Sequence, residues 1–189
     1  GAGNVGFQIG GIADIVLGGT GNDILWYQAN HVSTGASYDG GADTDQFRIF
    51  GGAGTVDMRN DTVTNFETLS FTDQAFDMGA RFTAAQISQF STFATDAHFG
   101  YTRDVFIEMG TTTYLDLSIV TVTGFTGVGD DIVITGDASY ETILTSTARD
   151  IVNANGGNDT IHGSLGADTL NGGTGIDTLN YSASNAGVT

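Results

Sequence analysis

Three consecutive nine-residue repeats constrain the fold more than any other feature of this chain. They occupy residues 154–162, 163–171 and 172–180, and in each the fourth position is Gly, the sixth is Asp and the eighth is Ile or Leu. These positions are Gly157, Gly166 and Gly175; Asp159, Asp168 and Asp177; and Ile161, Leu170 and Leu179. A strict short period predicts a solenoid in which each repeat contacts only its neighbours.

Each repeat divides into a turn and a short strand. The glycine-rich half permits the positive φ angles that tight turns need. One aliphatic residue per repeat is too little for an isolated strand, so successive repeats must stack and bury it in a common core. Stacking brings the Asp of one turn beside that of a neighbour, and these carboxylates repel unless a cation lies between them. Carboxylate and carbonyl oxygens suit calcium, so the repeats predict calcium-binding turns.

The repeats resemble the RTX (repeats-in-toxin) family, also called haemolysin-type calcium-binding repeats. The resemblance implies an all-β fold, a right-handed parallel β-roll or β-solenoid with two nonapeptides per coil and several calcium ions between turns on the same side. It also implies ligands from repeats n and n+2, and a secreted or cell-surface bacterial protein. Carried over to this chain, the implied carboxylate pairs are Asp159 with Asp177 and Asp150 with Asp168, completed by carbonyls of Gly157, Gly166 and their neighbours.

A shorter array of the same type lies near the N-terminus. Residues 18–26 fit the nonapeptide in full. The preceding nine residues have Ile12 at the glycine position, and residues 40–48 have Asp43 there, which predicts an altered or empty ion shell. We therefore expect this array to bind fewer ions than the C-terminal one. Its acidic residues at the sixth position are Asp14, Asp23 and Asp45.

The C-terminal array begins before the three regular repeats. Residues 126–134 have Asp131 at the sixth position, and a slip of one residue follows. The next repeat has Glu141 there, and residues 145–153 keep Asp150 but lack both early glycines. We expect these two repeats to keep the strand but to lose good ion sites on their own side. The candidate calcium ligands of both arrays are Asp14, Gly19, Gly21, Asp23, Asp43, Asp45, Asp131, Asp150, Gly157, Asp159, Gly166, Asp168, Gly175 and Asp177.

Between the arrays the nine-residue period disappears. Alternating β-branched and aromatic residues predict strands with one buried face, and most of the Phe residues lie here, which predicts the bulkiest core. Thr83 and Gln86 form a capping-box pattern, so we expect one short helix near 84–91. Residues 92–103 are expected to form an exposed loop.

The predicted organisation is one continuous solenoid in three segments. Residues 1–50 form a short N-terminal repeat segment, 51–125 form β-rich spacer coils with the helix and loop, and 126–189 form the C-terminal array. We interpret the chain as an excerpt of a longer protein.

The charge of the chain is strongly acidic and unusual in kind. Its 22 acidic residues outweigh five arginines, there is no Lys, and the formal net charge is −17. Only Glu67, Glu108 and Glu141 are glutamates, and Asp suits turns and turn-bound ions better. An alternative interpretation is that the acids only solvate the surface. Either way, this charge argues against nucleic acid and against insertion into an anionic membrane.

The sequence contains no pattern typical of a catalytic site. His31, His98 and His162 do not have metalloprotease spacing, there is no Gly-x-Ser-x-Gly motif, and there is no Cys. No signal peptide and no apolar run of membrane length is recognisable. Trp26 and Tyr27 fit either an exposed carbohydrate platform or packing at the end of the first array.

Two classes of function remain open. The first is a non-catalytic, calcium-stabilised module of an adhesin, surface-layer or matrix protein, or the β-roll of a toxin or exoenzyme. The second is part of a catalytic solenoid, such as a polysaccharide lyase or epimerase, whose groove would carry Lys, Arg, Tyr and His. The scattered arginines and the absence of Lys favour the first. Self-association end to end, or into a lattice or fibre, is also plausible, since solenoid ends expose strand edges.

Overall fold

The computed structural model describes residues 6–8, 13–72, 75–96, 100–126 and 129–183. Within these residues it contains 19 short strands and one helix. In chain order they are β1 (Gly6–Gln8), β2 (Ile15–Leu17), β3 (Ile24–Gln28), β4 (Ser37–Asp39), β5 (Gln46–Phe50), β6 (Gly54–Asp57), β7 (Thr62–Thr64), β8 (Thr68–Thr72), β9 (Met78–Thr83), α1 (Ala84–Ile87), β10 (Thr92–Thr95), β11 (Arg103–Glu108), β12 (Tyr114–Asp116), β13 (Thr121–Thr123), β14 (Ile132–Thr135), β15 (Thr142–Leu144), β16 (Asp150–Asn153), β17 (Thr160–His162), β18 (Thr169–Asn171) and β19 (Thr178–Asn180).

The strands form four parallel sheets. Their spatial orders are β1-β3-β5-β8-β10-β13, β18-β16-β14-β11-β9-β6, β12-β15-β17-β19 and β2-β4-β7. Near the N-terminus the chain alternates between the first and fourth of these sheets, and near the C-terminus between the second and third. The middle coils have three sides, formed by the first sheet, the second sheet and a side that is occupied in turn by β7, α1 and β12. The predicted all-β parallel solenoid is therefore confirmed.

The length of a coil changes along the solenoid. In the C-terminal part, Thr142 is level with Thr160 and Thr160 with Thr178, a coil of 18 residues. This register confirms that two nonapeptides make one coil there. In the N-terminal part Ile24 is level with Gln46, a coil of 22 residues. In such a longer coil, residues additional to the two repeats interrupt the nine-residue period.

The core is widest where aromatic side chains face inward. Phe47 is fully buried, and its ring lies 5.5 to 6.1 Å from the rings of Tyr27, Tyr38, Phe66 and Phe82. The aromatic core thus extends into the N-terminal segment, beyond the Phe-rich stretch that the sequence suggested. Tyr27 is buried and lies on the inward face of β3, so it belongs to this core.

The predicted helix is present but shorter than expected. Thr83 caps α1, and Gln86 completes the capping box. The helix ends at Ile87, with Ser88 as C-cap, although the sequence suggested about one more turn. The chain leaves the helix because Ser91 and Thr92 both donate backbone hydrogen bonds to Glu67 O, which starts the pairing of β10 with β8.

The helix also covers the edge of the fourth sheet. The Gln86 Nε2 donates hydrogen bonds of 2.8 Å to the carbonyls of Met58 and Asp61, which precede β7. Gln89 Nε2 donates to Val63 O within β7. One helical turn therefore satisfies carbonyl groups at a level where a neighbouring strand is absent.

The predicted exposed loop at residues 92–103 was wrong in part. Its first four residues form β10, which pairs with β8 and β13, and Phe93 is fully buried. Four residues are too few for an alternating pattern to stand out in the sequence, and the strand is fixed by its two neighbours. His98 lies outside the described residues.

Candidate metal centre

Acidic side chains in the C-terminal part stack in a column at the start of three strands. Glu141, Asp159 and Asp177 directly precede β15, β17 and β19, and strand pairing places them one above another. The amide of Glu141 donates a 2.8 Å hydrogen bond to Asp159 Oδ1, and the amide of Asp159 donates one of 3.0 Å to Asp177 Oδ1. One oxygen of each lower carboxylate is thereby fixed. We call these three residues the Glu141 column.

A second column lies at the start of β16 and β18 and consists of Asp150 and Asp168. The amide of Asp150 donates a 3.1 Å hydrogen bond to Asp168 Oδ1, so the pair has the geometry of the first column. Asp150 Oδ2 accepts hydrogen bonds from the Ser146 amide and hydroxyl at 3.1 and 3.0 Å. We call this pair the Asp150 column. Both carboxylate pairs implied by the resemblance are thus brought together.

Each column contains buried carboxylate oxygens that have no hydrogen-bond partner. These atoms are Glu141 Oε2, Asp159 Oδ2 and Asp150 Oδ1, and their residues are at most 1% exposed. A buried charged oxygen without a partner costs several kcal/mol, by the order of magnitude for polar burial. A hard cation bound by two carboxylates of adjacent coils would satisfy these oxygens. The donor set therefore fits calcium.

The turns that precede these acids are built so that backbone approaches backbone. Gly157, Gly166 and Gly175 have φ angles of 127°, 117° and 138°, a region that favours glycine. A Cβ added to Gly157 would overlap Ser139 O, and one added to Gly175 would overlap Gly157 O. Glycine is required here by both conformation and space.

The pKa values of acids in the two columns are raised, as expected for buried carboxylates without a neighbouring cation. Burial raises the pKa of Asp150 well above its ordinary value, and the charge of Asp168 raises it further. Burial also raises the pKa of Asp168, and it raises that of Glu141 to about 7. Without a cation, burial therefore disfavours the ionised form of these acids.

Calcium-free protein is expected to become more stable as the pH falls from about 8 to about 5. Burial raises the pKa of Glu141 to about 7 and that of Asp104 to about 6. Between the ordinary and the raised pKa the folded chain binds more protons than the unfolded chain, so stability is gained as the pH falls through this window. Asp57, whose pKa is lowered by its hydrogen bond to Arg59, titrates below the window. Thermal unfolding of the dialysed protein across this range measures the effect, and a pH-independent midpoint would contradict it.

Asp131 does not join the Asp150 column. Strand pairing places Ile132 level with Asp150, which is the one-residue slip seen in the sequence. The Asp131 carboxylate instead pairs with the guanidinium of Arg149, and the Asp131 amide donates to Asp104 Oδ1 at 3.1 Å. The structure thus places the guanidinium of Arg149 beside the Asp131 carboxylate. The role of Asp131 as a calcium ligand stays a prediction.

A third column lies in the N-terminal part and consists of Asp23, Asp45 and Glu67, at the starts of β3, β5 and β8. Asp43, which replaces the fourth Gly of its repeat, has a φ of 88° and accepts a hydrogen bond from the Gly21 amide. The loop therefore keeps its glycine-type conformation despite the substitution. We call Asp23, Asp45 and Glu67 the Asp23 column.

The remaining N-terminal candidates are placed less favourably. Gly19 and Gly21 have φ angles of 100° and 104° and lie in the loop that leads to Asp23. Asp14 precedes β2, and the residue level with it in the next coil is Ala36.

Two members of these columns, Glu141 and Glu67, were not predicted as ligands from the sequence. Glu141 was expected to mark a lost site, yet it is fully buried above Asp159. Glu67 lies in a coil without the nonapeptide, so no signal in a nine-residue period could have identified it. Within the described part of the chain, no three Asp, Glu or His side chains converge to hold a metal. Each candidate calcium site between two coils of a column thus has two carboxylates. Loop carbonyls or water would complete the coordination shell of the ion.

Comparison with known proteins identifies the repeats. The family model of the RTX calcium-binding nonapeptide repeat matches four copies, at residues 10–26 and 145–179. These segments are RTX calcium-binding repeats, so the predicted resemblance is confirmed, and the chain contains a calcium-binding structural repeat module. Neither curated proteins nor solved structures gave a significant match. Across the described residues, none of the helices has the length and apolarity required to span a membrane.

Proposed function

We propose that this chain is a calcium-binding structural module of a secreted or cell-surface bacterial protein, of adhesin, surface-layer or matrix type, and that it folds and becomes rigid on binding calcium. The observation that carries the proposal is the stacking of buried carboxylates with unpartnered oxygens in the Glu141 and Asp150 columns. Calcium bound between coils would supply the positive charge that these columns lack.

The residues that would hold calcium follow from the two columns. Asp159 with Asp177 and Asp150 with Asp168 contribute the carboxylates, and Glu141 adds a further carboxylate above Asp159. An ion between two coils links turns that are far apart in sequence, so binding opposes the separation of coils. Because the unfolded chain has no such site, calcium affinity adds to folding stability.

An extracellular location is supported by composition. The chain has no Cys and therefore no disulfides, which are the usual means of stabilising small secreted proteins. Bound calcium can take that role where the ion is abundant. A non-catalytic role is supported by the absence of recognisable catalytic motifs in the sequence.

End-to-end self-association stays a prediction. Ile161 is fully buried, whereas Leu179, at the same position of the last described strand, exposes 41% of its surface. An exposed aliphatic of this kind suits a contact with another coil. Sedimentation velocity at several protein concentrations, with and without calcium, tests it.

Calorimetric titration with calcium tests the proposal. Wild type should bind several ions, and magnesium should compete poorly because it requires compact octahedral geometry. Asp159→Asn should bind fewer ions, with apparent affinity at least about tenfold weaker, because a charge is lost where two coils share it. The amide oxygen can still accept the Glu141 hydrogen bond. The matched control, Asp116→Asn, removes the same charge from β12, where that carboxylate binds Ser118. Wild-type protein that binds no calcium contradicts the proposal.

A further inference from the structure

The Asp23 column extends beyond the recognised repeats. The family match in this part of the chain ends at residue 26, yet Asp45 and Glu67 continue the column through two coils of 22 residues. The amide of Asp23 donates a 2.7 Å hydrogen bond to Asp45 Oδ1, and the amide of Asp45 donates one of 2.7 Å to Glu67 Oε2. The stacking is the same as in the C-terminal columns, although the coil is longer, the repeat at residues 40–48 is altered and Glu67 lies outside any repeat.

Asp45 shows that a ligand belongs in this column. It is fully buried, and its Oδ2 atom has no hydrogen-bond partner. This oxygen points toward the turn at Gly40, where an added Cβ would lie 2.9 Å from it. As a carboxylate, this buried oxygen lacks a donor, and a bound cation would satisfy it.

A cavity lies beside the column. It has a volume of about 280 Å³, and its lining includes Asn22, Asp23, Ile24, Thr44 and Asp45. Burial raises the pKa of Asp45, with nearby Asp23 and Glu67 adding repulsion, which is the same electrostatic state as in the C-terminal columns.

We propose that Asp45 and Glu67 bind a divalent cation of the calcium type between two adjacent coils, of which the first carries only an altered nonapeptide at residues 40–48 and the second carries none. The two carboxylates come from adjacent coils, and loop carbonyls or water complete the shell. The inference rests on the proposed function, because the same ion is expected in both arrays. It extends calcium dependence from the recognised repeats to the beginning of the aromatic core.

The decisive variant is Glu67→Gln. The amide oxygen of Gln can still accept the hydrogen bond from Asp45, while the negative charge is lost. Calcium titration of the full chain should then show the loss of one bound ion relative to wild type. Asp45→Asn should show at least the same loss. Asp177→Asn, in the Glu141 column, is the matched control and should lose calcium from the other array.

Terbium luminescence locates the lost ion. Trp26 is the only tryptophan, and it lies three residues beyond Asp23 in β3, roughly 10 Å along the strand. The Glu141 column begins about four coils away and ends about six coils away at Asp177, roughly 20 to 30 Å at strand spacing. Terbium that is excited through Trp26 therefore reports on the Asp23 column. We expect weaker luminescence in Glu67→Gln and in Asp45→Asn, and unchanged luminescence in Asp177→Asn.

The outcomes separate this inference from the proposed function. If wild type binds calcium and Asp177→Asn loses an ion, but Glu67→Gln keeps wild-type stoichiometry and luminescence, this inference is overturned and the proposed function stands. If wild type binds no calcium, the proposed function fails first. Circular dichroism of Glu67→Gln in calcium serves as the control that tests whether the variant is folded. Because Glu67 is only partly buried, that substitution perturbs packing less than Asp45→Asn does.

Discussion

Chelation of calcium is expected to abolish amide protection in residues 145–183 while leaving part of residues 48–125 protected. The C-terminal array has a thin core: Val152 and Ile161 are buried, but Leu170 is only partly buried and Leu179 is 41% exposed. Ions bound only to the folded state contribute about 4 kcal/mol per site at a thousandfold excess over Kd. The aromatic core instead gains about 25 cal/mol per Å² of buried apolar surface, which chelation does not remove.

Hydrogen exchange with and without EGTA measures this difference. Magnesium added in place of calcium serves as the control, and it should not restore protection, since its coordination requirements differ. Asp159→Asn in calcium should reproduce part of the loss, because it removes one shared ligand. If the C-terminal repeats stay equally protected without calcium, the acids are only solvating groups and the calcium-dependent folding that we propose is wrong.

The regular part of the solenoid could be predicted from the sequence because each coil repeats the same local chemistry. Gly157 and Asp159 recur at a fixed spacing, and the 18-residue register follows from two such repeats. The capping box of Thr83 and Gln86 is also local, so the start of the helix could be identified. These features depend on residues that are close in sequence.

The irregular part depends on contacts between coils of different lengths. Asp131 and Asp150 have equivalent places in their nonapeptides, yet the pairing places Ile132 level with Asp150. Glu67 reaches the Asp23 column only because strand pairing repeats after 22 residues. Such registers are set by packing across the core and leave no period in the sequence.

Phe47→Ala is expected to lower the free energy of unfolding by about 3–5 kcal/mol, the usual range for truncating a buried Phe. Phe47 is fully buried and contacts the rings of Tyr27 and Phe66, with centroids 5.6 and 5.5 Å away. No neighbouring side chain can fill the space without leaving its own ring contacts, so a cavity should remain. The loss should be similar with and without calcium, since the substitution removes packing and no ion ligand.

Phe50→Ala provides the matched control on the same strand. Phe50 is on the outer side of β5, partly exposed, and its ring packs against Trp26 at 5.5 Å. Removing it should cost well under half as much, because surface packing forfeits less buried area. Denaturant unfolding of both variants, in calcium and in EGTA, gives the comparison. Equal losses would mean that the aromatic cluster does not form the calcium-independent core. A Phe47→Ala loss confined to the calcium-bound protein would instead mean that the aromatic core forms only when calcium is bound, and would contradict a calcium-independent core.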